Sequence, residues 1–174
     1  YDVTVTINDG AQDGATITYV VTVTDAGVTI TTSAGSVSES AVNTAAVVTV
    51  ATSGDAPTLF AITGGNSDGI FAISNSGAIT VSDNTNLDYD TTPSYTLRVV
   101  ASDATSADSQ DVVITIVDVN DQTPTYTAGD TTPSVAEGST AVDSAVAITD
   151  TDTGDANVCT LAGSDAALFT CTLT

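Results

Sequence analysis

The stretch "DVVITIVDVNDQTP", residues 111–124, runs from an alternating apolar segment straight into a cluster of acids. Its first half places Val112, Ile114 and Ile116 two residues apart, as in a strand with one buried face. Its second half packs Asp118, Asn120 and Asp121 together, and like charges so close repel unless a cation lies among them. The stretch therefore predicts a β-strand that ends in a cation-dependent linker.

The charge balance of the chain excludes several classes of partner. Among 174 residues there are 22 acids, one Lys or Arg and no His, for a net charge of −21. Such a chain has no electrostatic attraction to nucleic acid or to anionic lipid, so divalent cations are the favoured charged ligands. No apolar run reaches the ~18–20 residues that span a bilayer, so we expect no membrane insertion of this segment. Because the chain opens directly on strand-like residues, we expect a mature or excised piece.

Internal repetition sets the domain organisation. "YDVTVTINDGA" from Tyr1 resembles "YTLRVVASDAT" from Tyr95, and "SVSES" from Ser36 resembles "SVAEG" from Ser134. A third pair, "VTVTDAG" and "ITIVDVN", has nearly the same offset, which gives a module of about 95 residues. We therefore divide the chain into the C-terminal part of one repeat (1–27), a complete repeat (28–120) and the N-terminal part of a further repeat (121–174).

The complete repeat has the pattern of short strands separated by turns. Alternation and turn residues predict strands at Ser36–Ser40, Ala45–Ala51, Thr58–Thr63, Ile70–Ser74, Ala78–Ser82, Tyr95–Ala101 and Asp111–Asp118, with turns such as "SGDAP" between them. We assign Tyr95, Leu97, Val99 and Ala101 to the core face, leaving Arg98 to solvent. No segment has helical periodicity with caps. A module of this size with about seven strands predicts an immunoglobulin-like β-sandwich.

Four acidic motifs lie far apart in the sequence, but a sandwich would gather them at one end. They are "VSES" with Glu39, "LDYD" at 87–90, "VDVND" at 117–121 and "TDTD" at 149–152. Any one of them alone is commonly a solvated turn. Together they predict calcium, which takes six to eight oxygen ligands, largely carboxylates and carbonyls.

These motifs resemble those of the cadherin repeat family. "LDYDTTPSYTLRVVASDA" is similar to the family's acidic motif and following strand, "ITIVDVNDQTP" to its inter-repeat linker, and "SVSES" to its Glu-bearing first strand. The resemblance implies an all-β fold of tandem Greek-key β-sandwiches of cadherin type. It also implies Ca2+ between the second and third modules, with ligands from Glu39, Asp88, Asp90, Asp118, Asn120, Asp121, Asp150, Asp152 and Asn157.

The sequence also departs from the family pattern. Asp90 stands where the family usually has Glu, and Gln122 where the linker commonly has Asn. At the first junction the linker position reads "TDAGV", residues 24–28, and the second module reads "ATSGDAP" where a "DxD" motif is expected. We therefore expect the first junction to bind calcium weakly or not at all.

The cysteines give the only evidence on the redox compartment. Cys159 and Cys171 would be buried thiols in an intracellular protein, or a disulfide outside the cell, and the composition favours the disulfide. Alignment of the third module on the second places these cysteines near Phe60 and Ile73, on inward positions of opposite sheets. The expected location is extracellular, at the cell surface.

The favoured function is a non-enzymatic, calcium-dependent structural or adhesion repeat in a stiff stalk or surface filament. Its partners would be neighbouring repeats or copies of the same protein, and its composition resembles large microbial surface adhesins. The absence of His and Lys excludes the usual nucleophilic triads. Two alternatives remain: a carbohydrate- or ice-binding module using Thr rows such as "VTVTI", and a filament subunit assembled by strand complementation.

Overall fold

The computed structural model describes residues 1–8, 13–128, 134–139, 147–154 and 156–171. Within these residues the chain forms strands and one short 3₁₀-helix, Ala166–Leu168, with no α-helix, and none of its helices is long and apolar enough to span a bilayer. The strands, in chain order, are β1 (Asp2–Asn8), β2 (Asp13–Val20), β3 (Val28–Ile30), β4 (Ala34–Ser38), β5 (Ala46–Thr49), β6 (Thr52–Gly54), β7 (Leu59–Gly64), β8 (Phe71–Ile73), β9 (Ala78–Val81), β10 (Ser94–Ser102), β11 (Ala107–Val117), β12 (Thr125–Ala128) and β13 (Ala147–Thr149).

The strands from β3 to β11 form a two-layer sandwich. One sheet has the order β4-β11-β10-β7, with β11 parallel to β4 and the other pairs antiparallel. The second sheet has the order β5-β9-β8, and β3 and β6 form a separate antiparallel pair. The predicted all-β sandwich class is confirmed.

The buried face of the sandwich follows the predicted alternation. Leu97, Val99 and Ala101 on β10 are fully buried, as are Val112, Ile114 and Ile116 on β11. Tyr95 is half-buried and packs edge-on against Phe71, with 5.3 Å between the ring centroids. Arg98 points to solvent as expected, where its guanidinium lies 3.0 Å from the Asp111 carboxylate. Because β10 and β11 are long and central, their inner faces carry much of the core.

All seven predicted strands are present, with shifted ends, but the prediction missed two others. β3 and β6 are only three residues long and pair with each other, with Val28 opposite Gly54. "SGDAP" was expected to be a turn, yet Ser53 and Gly54 belong to β6. A Cβ on Gly54 would lie 1.9 Å from the carbonyl oxygen of Gly27, so this glycine permits the close approach of the two segments. A strand of three residues is too short to show an alternating apolar pattern in the sequence, so these two strands were missed.

Outside the sandwich of β3 to β11, β1 and β2 form an antiparallel hairpin, and β12 pairs with β13. One face of the hairpin carries Val3 and Val5, with Ile17 opposite Val5, and these apolar side chains are exposed. Cys159 and Cys171 form a disulfide with their Cα atoms 6.0 Å apart, and both are half-buried. The predicted disulfide is confirmed.

Candidate metal centre

Glu39 ties together two distant segments at one end of the sandwich. Its carboxylate is buried, with a residue exposure of 8%, at the turn that follows β4. Oε2 accepts the N–H of Tyr89 at 2.6 Å, and Oε1 accepts the N–H of Val119 at 2.5 Å. One carboxylate therefore holds the "LDYD" loop next to the linker that leaves β11.

Three aspartates from different segments lie close together at this end of the sandwich. One carboxylate oxygen from each of Asp90, Asp121 and Asp152 lies within 4.8 Å of the others. Asp90 comes from the loop before β10, Asp121 from the linker and Asp152 from the turn after β13. Among the described residues this is the one group of three or more acidic or cysteine side chains so close together. Three of the four sequence motifs thus contribute a ligand-competent oxygen to one place.

Several carboxylate oxygens at this place have no hydrogen-bond donor. Oδ1 of Asp90, Asp118 and Asp152 is buried and unpaired within the described part of the chain. A buried carboxylate oxygen without a donor is costly, because it has lost water and gained nothing. A cation with several open coordination positions would satisfy all of them together, and oxygen-only donors are the ligands that Ca2+ prefers. The residues present therefore fit calcium.

The surroundings of Asp90 disfavour the charged form of its carboxyl group. Burial raises the pKa of the Asp90 carboxyl, and the negative charges of Asp152, Asp118 and Asp88 raise it further, against a hydrogen bond from Thr151 that lowers it. Asp118 behaves in the opposite way. Hydrogen bonds from the Thr153 hydroxyl and N–H hold the pKa of Asp118 below its ordinary value. A cation placed among these groups would favour the charged form of every one of them.

The remaining predicted ligands, apart from Glu39 and Asp118, are not in the group of three. Asp88 accepts hydrogen bonds from the hydroxyl and N–H of Thr91, and Asp150 accepts the N–H of Asp152 at 3.3 Å. Asn120 lies exposed in the linker between Asp118 and Asp121, and Asn157 is half-buried in the third segment. In sequence, Asp88 and Asp150 are each two residues from a clustered acid, and Asn120 is next to Asp121. Asn157 is five residues beyond Asp152.

The first junction has acids but a different arrangement. Contact between the carboxyl groups of Asp25 and Asp55 lowers the pKa of Asp25 and raises that of Asp55. Asp103 is turned toward its own loop, where Oδ1 accepts the N–H groups of Thr105 and Ser106, each at 2.7 Å. Within the described part of the chain, these three acids do not converge as Asp90, Asp121 and Asp152 do.

Two residues that the motif analysis did not assign to the site hold its acids in place. Thr153 donates its N–H and its hydroxyl to Oδ2 of Asp118, and the N–H of Gln122 donates to Oδ2 of Asp152 at 2.9 Å. The alternation of Thr and Asp in "TDTDT" was the available signal, because a hydroxyl next to an acid can serve as its donor.

Comparison with known proteins agrees with the fold. The family model described as "Cadherin domain" matches residues 33–120. In mouse, "Cadherin EGF LAG seven-pass G-type receptor 2" is 36% identical over 122 residues, which are 67% of this chain and 4% of the receptor. The human protein of the same name gives the same figures. The chain thus spans only a small part of these curated relatives.

Solved structures with a similar fold come from cadherin ectodomains. The structure titled "Protocadherin Gamma B2 extracellular cadherin domains 3-6" has a TM-score of 0.54 and 27% identity, covering 73% of this chain and 31% of that one. The human Desmocollin-1 ectodomain has a TM-score of 0.63 at 19% identity, covering 75% of this chain and 27% of its own. Mouse Cadherin-23 EC22-24 has a TM-score of 0.58 at 23% identity, with 88% and 53% covered.

Cadherin domains are extracellular, non-enzymatic adhesion repeats that pack against neighbouring repeats and bind Ca2+ between them. The sandwich, the acidic cluster at its end and the disulfide are all consistent with that description. With its family match over residues 33–120, this chain belongs to the cadherin domain family.

Proposed function

We propose that this chain is a calcium-stiffened segment of an extracellular stalk or surface filament. Its complete repeat (28–120) would be joined by Ca2+ to a further repeat that begins at residue 121, and residues 1–27 would end a preceding repeat. The ligands would be drawn from Glu39, Asp88, Asp90, Asp118, Asn120, Asp121, Asp150, Asp152 and Asn157. The composition supports a large microbial surface protein as the parent.

The observation that carries the proposal is the convergence of Asp90, Asp121 and Asp152 within 4.8 Å across the joint. The chain has one Lys or Arg in total, and that residue, Arg98, pairs with Asp111 away from the cluster. No described basic side chain is therefore placed to neutralise the three acids. Repulsion would open the joint of the empty chain, whereas an ion would close it and make the two segments move as one body.

Thermal unfolding with calcium and then with excess chelator tests this proposal. A ligand at 100 times its Kd adds about 2.7 kcal/mol to the free energy of unfolding if it binds only the folded chain. We expect a calcium-dependent rise in Tm that Asp121→Ala largely removes and that Asp25→Ala leaves in place. An identical Tm in calcium and in chelator would refute the proposal.

A further inference from the structure

Three buried carboxylate oxygens at the joint lack a hydrogen-bond donor: Oδ1 of Asp90, Asp118 and Asp152. In two of these carboxylates the other oxygen is held by a donor. Oδ2 of Asp118 accepts the N–H and hydroxyl of Thr153, and Oδ2 of Asp152 accepts the N–H of Gln122. The donors therefore leave Oδ1 of Asp118 and of Asp152 free.

The Asp118–Thr153 contact also crosses the joint. Asp118 follows β11 in the complete repeat, and Thr153 follows β13 in the next segment, 35 residues later. The Thr153 side chain is on the exposed side of its turn, so its hydroxyl is not needed to fill a core. Both of its donors reach the same oxygen, Oδ2, so that Oδ1 is the oxygen left free.

We propose that Thr153 is a positioning residue for the calcium site, a role that rests on the proposed function. The torsion that rotates a carboxylate has broad minima, so an untethered Asp118 would sample many orientations of its two oxygens. Two donors on Oδ2 restrict that rotation and present Oδ1 before the ion arrives. Since less ordering remains to be done on binding, the affinity for the ion is higher. Thr153 acts through Asp118 and does not itself need to contact the ion.

Calcium titration calorimetry of four versions of residues 1–174 tests this role: the parent chain, Thr153→Val, Thr153→Ser and Thr125→Val. Thr153→Val removes the hydroxyl but keeps the shape and the N–H, and Thr153→Ser keeps the hydroxyl. Thr125→Val is the matched control, because the Thr125 hydroxyl donates to the carbonyl oxygen of Thr149 at 3.3 Å, not to an acid. Loss of a partner that orients a metal ligand typically costs about 10–100-fold in affinity. We expect Thr153→Val to raise the Kd for Ca2+ by about tenfold, with Thr153→Ser and Thr125→Val close to the parent chain.

Amide hydrogen exchange in chelator gives a readout that does not require the ion. The N–H of residue 153 should exchange faster in Thr153→Val than in the parent or in Thr153→Ser, while the amides of β10 and β11 keep their protection. Unchanged calcium affinity and unchanged exchange in Thr153→Val would overturn the positioning role while leaving calcium binding intact. Absence of calcium binding by the parent chain would overturn the proposed function itself, and this role with it. If Thr153→Val lost β-sheet protection, Thr153→Ala would replace it under the same criteria.

Discussion

The carboxylate of Glu39 accepts the backbone N–H of Val119, eighty residues further along the chain, at 2.5 Å. Its other oxygen accepts the N–H of Tyr89, so one buried side chain fixes both the acidic loop and the exit of β11. Both donors are backbone N–H groups of distant segments. Glu39 therefore has a structural role in addition to its proposed role as a calcium ligand.

Replacing Glu39 with Ala should destabilise the chain even in chelator. The change removes the acceptor of two N–H groups, and hydrogen bonds to a charged group contribute about 1.5–3 kcal/mol each. We expect a loss of about 3 kcal/mol in the free energy of unfolding, measured by urea denaturation with excess chelator. Glu137→Ala is the control, because Glu137 is exposed, and should have little effect. A stability of Glu39→Ala equal to that of Glu137→Ala would contradict this role.

The pH dependence of the stability of the calcium-free chain should reveal that the negative charge of Asp90 is unfavourable in the folded state. Because the pKa of Asp90 is raised in the folded chain, that chain binds a proton more readily than the unfolded chain does. Lowering the pH from neutral toward the raised pKa therefore removes a destabilising charge. Asp118 has the opposite sign: its pKa is lowered, so its stabilising contribution is present above its ordinary pKa and is lost only as the pH falls through the lowered value.

The difference between the parent chain and Asp90→Asn isolates this effect. In chelator, Asp90→Asn should be more stable than the parent at neutral pH, and the two should converge as the pH falls. Asp83→Asn is the control, since hydrogen bonds from Thr85 hold the pKa of Asp83 low and the substitution should bring no such gain. Denaturation midpoints at a series of pH values measure it. A parent chain that is more stable than Asp90→Asn at neutral pH would show that the negative charge of Asp90 does not destabilise the folded chain.

The disulfide should stabilise residues 156–171 and not the sandwich formed by β3 to β11. Cys159 and Cys171 are 12 residues apart, and a loop of that size contributes about 2–3 kcal/mol on the chain-entropy model. Cys159→Ser with Cys171→Ser should speed amide exchange in residues 156–171 while β10 and β11 keep their protection. Thiol labelling of the unfolded, unreduced parent should give no labelled cysteine. Two labelled thiols per chain would show that the bond does not form.

Calcium should lengthen the chain in solution. The second joint has acids from both sides, whereas the first runs through "TDAGV", where Gly27 has a φ of +67°. We expect one stiff joint and one flexible joint, so that the maximum dimension from small-angle scattering grows with calcium. Asp150→Ala with Asp152→Ala should abolish that growth without unfolding the sandwich. Equal dimensions of the parent with calcium and with chelator would mean that the linker acids do not control its shape.

The sequence predicted the strands that are long enough to show an alternating apolar pattern. β10 and β11 have three or more apolar residues at alternate positions, so their buried faces could be assigned directly. β3 and β6 could not, because three residues give no period and their pairing depends on the close approach that Gly54 permits. The acidic motifs were recognisable because each is a local pattern.

The contacts within the site were not predictable in the same way. That Asp90, Asp121 and Asp152 converge depends on loop geometry at the ends of three segments. Asp88, although only two residues from Asp90 in sequence, caps its own turn by accepting the hydroxyl of Thr91. The role of Thr153 depends on the orientation of one segment against another across the joint, which no local pattern encodes.

Isothermal titration calorimetry tests calcium binding most directly. The chain is first freed of calcium with chelator and is then titrated with Ca2+ at about 0.15 M salt. At that salt concentration the Debye length is about 8 Å, so diffuse attraction of Ca2+ to the acidic chain is screened. We predict saturable binding by the parent chain, and its loss when Asp90, Asp121 and Asp152 are all replaced by Asn. A variant with Asp25, Asp55 and Asp103 replaced by Asn removes the same number of charges at the other junction and should bind as the parent does. Absence of binding by the parent, or equal binding by the first variant, would contradict a calcium site at this joint.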